Sequence, residues 1–190
     1  MAQRFLLAAV VVAVLFGAAV SLAGATGPAS VDGDNGDDRL RGGSGIDQLR
    51  GHAGDDTLNG GGAPDGLFGN AGADRLTTGG VGGTAQGGPG EDHLFGGYGL
   101  DRLDGGSGVD EISGAAGDDR LEGGGGADVL NGEDGDDSLF GESGQDSLRA
   151  GAGDDFVYAV DGVAETVDCG PGDDGASVDG SDKTVGCEGL

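Results

Sequence analysis

Between Gly33 and Tyr158 an aliphatic residue stands at every ninth position, and the residues on either side of it are mostly polar. Leu40, Leu49, Leu58, Leu67, Leu76, Leu94, Leu103, Leu121, Leu130, Leu139 and Leu148 hold this phase, and Ala85, Ile112 and Val157 complete it. No helical face repeats at nine, whereas polar–apolar–polar triplets read as short, half-buried strands. Numbered 1 to 9 from Gly33, the stretch divides into fourteen units without insertion or deletion. Positions 7 to 9 form the strand and positions 1 to 6 a Gly-rich loop. A phase held for 126 residues marks a repeat array, in which each unit is half a coil of a parallel β-solenoid. The predicted fold class is all-β, a parallel β-solenoid.

Position 6 carries a second column. It is Asp38, Asp47, Asp56, Asp65, Asp74, Asp92, Asp101, Asp110, Asp119, Asp128, Asp137, Asp146 and Asp155, with Gly83 as the sole interruption. One isolated Asp in a Gly-rich loop is commonly a turn former bonded to its own backbone. Thirteen in one column indicate a shared role as ligands. Composition sharpens the picture, because 48 Gly and 4 Pro in 190 residues would signify disorder if the chain had no period. Aromatic residues are 4% and Trp is absent, so something besides apolar burial must hold the fold. The net charge of -26, from 35 acids and 9 bases, repels nucleic acid and anionic lipid and attracts cations.

At Gly42–Arg50, Gly87–Phe95, Gly96–Asp104 and Gly123–Asn131 the units read Gly-Gly-x-Gly-x-Asp-x-Leu-x, and Gly105–Ser113 matches with Ile112 for Leu. Through these motifs, over about two thirds of its length, the chain resembles the RTX (repeats-in-toxin, hemolysin-type) calcium-binding repeat family. The resemblance implies a parallel β-roll with two nonapeptides per coil and calcium ions between loops stacked one coil apart. The residue types suit that chemistry on their own terms. Gly permits positive φ and lets carbonyls turn inward, and carboxylates add charged oxygen for an ion that takes about six to eight oxygens. Coils stacked at about 4.8 Å bring Asp101 near Asp119 and Asp119 near Asp137, and carboxylates so close repel unless a cation lies between them. The roll is therefore expected to be largely unfolded without calcium and to fold when it binds.

The units are not equivalent. Unit six, Thr78–Gln86, has Gly83 and Ala85 where Asp and the aliphatic belong, so sites that use its loop are expected to be empty or weak. Gly60–Phe68 carries Ala63 and Pro64 beside Asp65, the least regular of the expected ligands. Up to about ten calcium ions of uneven affinity follow from pairing loops two units apart. The strongest block is expected at Gly87–Tyr158.

The ends differ from the array. Residues 1–25 combine Arg4, an apolar run from Phe5 to Val20 and Ala23-Gly24-Ala25, the pattern of a secretory signal peptide cleaved after Ala25. Cleavage after Ala23 and an uncleaved N-terminal anchor are the alternatives. Residues 26–32 form a lead-in and 159–190 a C-terminal capping segment, where Cys169-Gly170-Pro171-Gly172-Asp173-Asp174 parallels Gly87–Asp92. Cys169 and Cys187 lie 18 residues apart, one coil, which brings them within disulfide range. A disulfide would staple the open end and fits a secreted, oxidising location. Two free thiols or a soft-metal pair are the other readings.

Several residues invite a blander interpretation. Acids at position 5, such as Asp55, Asp118, Asp136 and Asp154, read as solvated charge that concentrates calcium. His52 and His93 form no cluster. Phe68, Phe95 and Phe140, all at position 9, should point outward as isolated rings. There is no His-Glu-x-x-His and no Gly-x-Ser-x-Gly, and a lattice of carboxylates singles out no catalytic pair. The expectation is a secreted, extracellular, non-enzymatic calcium-binding protein, with no stable membrane insertion after signal cleavage. The alternative is a structural or adhesion protein of the cell surface or matrix in which calcium is only a staple.

Overall fold

The computed structural model describes residues 19–21 and 26–188. Among them are nineteen strands and no helix. All strand pairs are parallel, and they form two sheets of ten and nine strands that the chain visits alternately. Units with odd numbers feed one sheet and units with even numbers the other. Leu103 pairs with Leu121 and Leu121 with Leu139 in the nine-stranded sheet, while Ile112 pairs with Leu130 in the ten-stranded one. Two nonapeptides therefore make one coil, and the chain is a β-roll.

The position-8 residues of both sheets form one continuous core, from Leu40 through Val157, each at most 2% exposed. Strands run longer than positions 7 to 9 suggest. Asp101–Ser107, for example, continues through positions 1 to 3 of the next unit. Position 1 therefore also faces inward, and where it is not Gly it is small and fully buried, as at Ala150. Position 4 turns the chain: Gly126, at φ 153°, leaves no room for a Cβ, which would strike the carbonyl of Gly108 in the coil before.

Both sheets extend past the repeats. Ser30–Asp32, in the lead-in, pairs with Gln48–Arg50 and buries Val31. In the C-terminal segment Thr166–Asp168, Gly175–Val178 and Lys183–Val185 add three strands. There the register changes, because Ser147 pairs with Thr166 and Thr166 with Lys183. The first coil is one residue too long and the next one too short. Cys169 and Cys187 form a disulfide with Cα atoms 5.1 Å apart. Most of the segment read as a signal peptide lies outside the described residues, but Ala19–Ser21 pairs with Arg39–Arg41. No helix among the described residues is long and apolar enough to cross a membrane.

Every described base stands on a strand, mostly at positions 7 and 9, and these residues organise the sheet faces. Arg50, Arg75 and Arg120 lie 5.3, 4.4 and 3.9 Å from the ring centroids of Phe68, Phe95 and Phe140. The three rings are therefore half-buried under guanidinium groups, not isolated. Arg102 and Arg120 also converge on Glu122, at 2.9 and 2.6 Å.

Candidate metal centre

Each turn brings its position-6 aspartate inward, so that all thirteen expected ligands are at most 3% exposed. They stack along two edges of the roll. On one edge the backbone N–H of Asp38 donates to Asp56 Oδ1 at 2.7 Å, Asp56 to Asp74 at 2.8 Å, and the series continues through Asp92, Asp110 and Asp128 to Asp146. On the other edge Asp47 donates to Asp65, and Asp101, Asp119, Asp137 and Asp155 each donate to the next aspartate, ending at Asp174. Every position-6 carboxylate after Asp38 thus reaches back to the coil before it with one oxygen.

The second oxygen is bare. Oδ2 of Asp56, Asp65, Asp74, Asp92, Asp110, Asp119, Asp128, Asp137, Asp146, Asp155 and Asp174 is buried without a hydrogen-bond partner, as is Oδ1 of Asp38. Asp47 and Asp101 differ, since their Oδ2 atoms accept from the N–H of Gly43 and Gly97 at 2.7 and 3.0 Å. A buried charged oxygen left unpaired costs more than the ~1–3 kcal/mol of a neutral group. The space before it is kept open by position 1. A Cβ on Gly123 would stand 2.7 Å from Asp128 Oδ2 and 2.9 Å from the carbonyl oxygen of Gly141. Carboxylate and carbonyl oxygens therefore converge over the same glycine.

This donor set fits a hard cation. Among the described residues no three carboxylate, imidazole or thiol side chains converge on one point, so an ion held here draws part of its shell from backbone carbonyls. Burial raises the pKa of Asp92 and Asp137 to about 7 and of Asp56, Asp65, Asp110, Asp119 and Asp146 to about 6, against the lowering effect of the backbone hydrogen bond. Asp74, Asp101, Asp128 and Asp155 are raised for the same reason. Without a cation these groups favour a proton. Asp65, despite Ala63 and Pro64 beside it, sits like the rest.

Unit six holds a hydroxyl where the other units hold a carboxylate. The Thr78 side chain, at position 1, fills the space of the missing carboxylate, and its hydroxyl donates to Asp101 Oδ1 at 2.8 Å. A Cβ on Gly83 would lie 3.1 Å from the Thr78 Cβ. Thr at position 1 and Gly at position 6 exchange the usual bulk of the two places.

The profile of the RTX calcium-binding nonapeptide repeat matches repeatedly, at residues 32–67, 64–85, 79–112, 86–121, 106–139, 113–148 and 132–162. The chain belongs to this family. As an RTX repeat protein it is a calcium-binding repeat protein. Among curated proteins none matches the chain.

Outside the profile two acids extend the RTX columns. Asp174, whose Oδ1 accepts from Asp155 N–H at 3.0 Å, follows the Gly170-Pro171-Gly172-Asp173 loop that the sequence shows. Glu165 follows no such loop, and only the strand register places it above Asp146. The position-5 acids lie on the outer rim. Asp118, Asp136 and Asp154 are exposed and accept the N–H of residue 136, 154 and 173 respectively. His52 is exposed, and His93 Nδ1 meets Glu111 Oε2 at 2.9 Å, so the two histidines stay apart.

Acid is expected to substitute partly for the cation. Unfolded, Asp56, Asp65, Asp92, Asp110, Asp119, Asp137 and Asp146 titrate near 3.8, whereas folded and metal-free they titrate at about 6 to 7. Across that window the folded chain holds more protons, so this contribution is complete below the unfolded value and is lost as pH rises through the folded one. Circular dichroism of the chelated protein should show β signal falling between about pH 4 and 7, and calcium added near pH 6 should release protons. A β signal that instead grows over this range would contradict the assignment.

Proposed function

We propose that this RTX repeat protein is a secreted, non-catalytic calcium-binding protein whose stacked turns take up several calcium ions and complete their folding as they do so. The observation that carries the reading is the repeated buried carboxylate with one oxygen bonded to the preceding coil and the other unpartnered beside a carbonyl. The thirteen position-6 aspartates are the ligands, with Asp174 as a fourteenth. Each ion neutralises carboxylates from successive coils and supplies stability to the state that binds it. Secretion is supported by the sequence of residues 1–25 and by the disulfide, which belongs to oxidising compartments. Cleavage after Ala25 would remove Ala19–Ser21 and leave Arg39–Arg41 as the edge strand, whose two exposed arginines guard against edge pairing.

One observation favours adhesion or partner binding as a second reading. Val81 and Leu100, 56 and 69% exposed, stand in turns around unit six, and Tyr98, 75% exposed, ends the strand His93–Tyr98 beside them. This is the kind of exposed apolar patch that contacts a partner.

Calcium titrated into the mature, oxidised protein near neutral pH should produce a cooperative gain of β signal that magnesium does not reproduce. Full β structure in excess chelator would refute folding on binding. The double substitution Thr78→Gly with Gly83→Asp should restore the missing column position, so that the variant binds additional calcium and resists denaturant better than the parent in calcium. Unchanged stoichiometry would separate the column from calcium binding. For the second reading, cell-wall material should retain the protein in calcium, and Leu100→Asp should weaken retention without altering the calcium titration.

A further inference from the structure

Glu165 is a buried acid that the repeats do not explain. It is 2% exposed, and neither Oε1 nor Oε2 has a hydrogen-bond partner. No cation among the described residues pairs with it, and negative charge surrounds it, from Asp182, Asp161, Asp146 and Asp179. Every position-6 aspartate but Asp38 ties Oδ1 to a hydrogen-bond donor. Glu165 ties none, and so presents two free oxygens together.

The strand register explains how it arrived there. Thr166 pairs with Ser147 below and Lys183 above, so Glu165 stands between Asp146 and Asp182 in the column although no Gly-x-Gly precedes it. Its neighbours divide into two groups. Asp161 accepts from Val163 N–H at 2.7 Å and from Gly144 N–H at 2.9 Å. Asp179 accepts from Gly162 N–H at 2.7 Å, and Asp182 from Glu165 N–H and Asp179 N–H at 3.1 and 2.7 Å. These three are engaged with backbone and build the turns. Asp146 Oδ2 is the other oxygen that is buried and bare.

We propose that Glu165, as a two-oxygen ligand, and Asp146, through Oδ2, hold a calcium ion in the C-terminal segment, at a site that no nonapeptide forms. The site rests on the calcium reading of the column, whose last repeat aspartate on this edge it shares. Calcium accepts a carboxylate through both oxygens and tolerates an irregular shell, whereas magnesium demands a near-ideal octahedron, so the site selects calcium. Its effect is to clamp the turn at 161–165 onto the unit-thirteen turn. The irregular register leaves that turn without the Gly-rich loop that secures the coils of the repeats.

The test uses the full, oxidised protein and calcium itself. Glu165→Gln keeps the size of the side chain and removes its charge. Equilibrium dialysis at saturating calcium should show the variant binding about one ion fewer than the parent, with the repeat β signal retained and amide exchange faster in 159–168. Glu165→Asp, which keeps the charge and shortens the reach, should retain the ion at weaker affinity. Magnesium in place of calcium should leave 159–168 equally unprotected in parent and variants. Equal stoichiometry and equal exchange in parent and Glu165→Gln would overturn the site while leaving the repeat sites standing. A parent that binds no calcium would overturn both.

Discussion

A buried carboxylate with one oxygen bonded and the other bare is the constraint on which this structure depends. The bonded oxygen fixes the distance between coils, because it takes the N–H of the corresponding residue one coil earlier, as Asp137 does from Asp119 at 2.8 Å. The bare oxygen sets the charge balance. A row of such atoms, each near-completely desolvated, is tolerable only when protonated or shared with a cation. The apolar core cannot compensate, since it offers one aliphatic side chain per nine residues and in Ala85 hardly that. Ligand chemistry therefore fills the role that packing fills in an ordinary domain.

Glycine is distributed to serve that oxygen. Position 1 lacks a side chain because a methyl group at Gly123 would occupy the space shared by Asp128 Oδ2 and the Gly141 carbonyl. Position 4 lacks one because the turn passes too close to the coil below, as Gly126 does over Gly108. Position 2 is less exacting, and Glu133 and Glu142 take positive φ there at 81° and 68°. The exchange of Thr78 and Gly83 shows the same rule from the other side: the space is conserved even where the carboxylate is not. Positive charge is kept off these edges altogether. Arginine on the strands covers Phe68, Phe95 and Phe140 and pairs with Glu122, leaving the turns to acids.

Much of this was legible in the sequence because the fold is a translation. A residue type that recurs at nine must recur in the same environment, so Leu at position 8 and Asp at position 6 could be assigned to core and inner edge without coordinates. The pairing of Cys169 with Cys187 was expected from the same spacing and forms, although the coil between them is 17 residues long and Asp168 pairs with Val185. What the sequence concealed lies where translation fails or where contacts cross between coils. Glu165 was hidden because the coil carrying it is one residue too long and its turn has no Gly-x-Gly. The Thr78 hydroxyl on Asp101 joins residues 23 apart, a separation no periodic reading contains. The inward face of position 1 was missed because Gly leaves no hydropathy signal, although Ala150 was a trace of it.

The two edges are not equal carriers of order. From Asp38 to Asp146 every coil on one edge is tied to the next by the same hydrogen bond, and Glu165 and Asp182 prolong that column into the C-terminal segment. On the other edge Gly83 divides the ladder in two. Repeat arrays draw their cooperativity from nearest-neighbour interfaces. A weak interface on one edge therefore leaves the halves coupled through the opposite edge and through the sheets, with Thr78 limiting the loss.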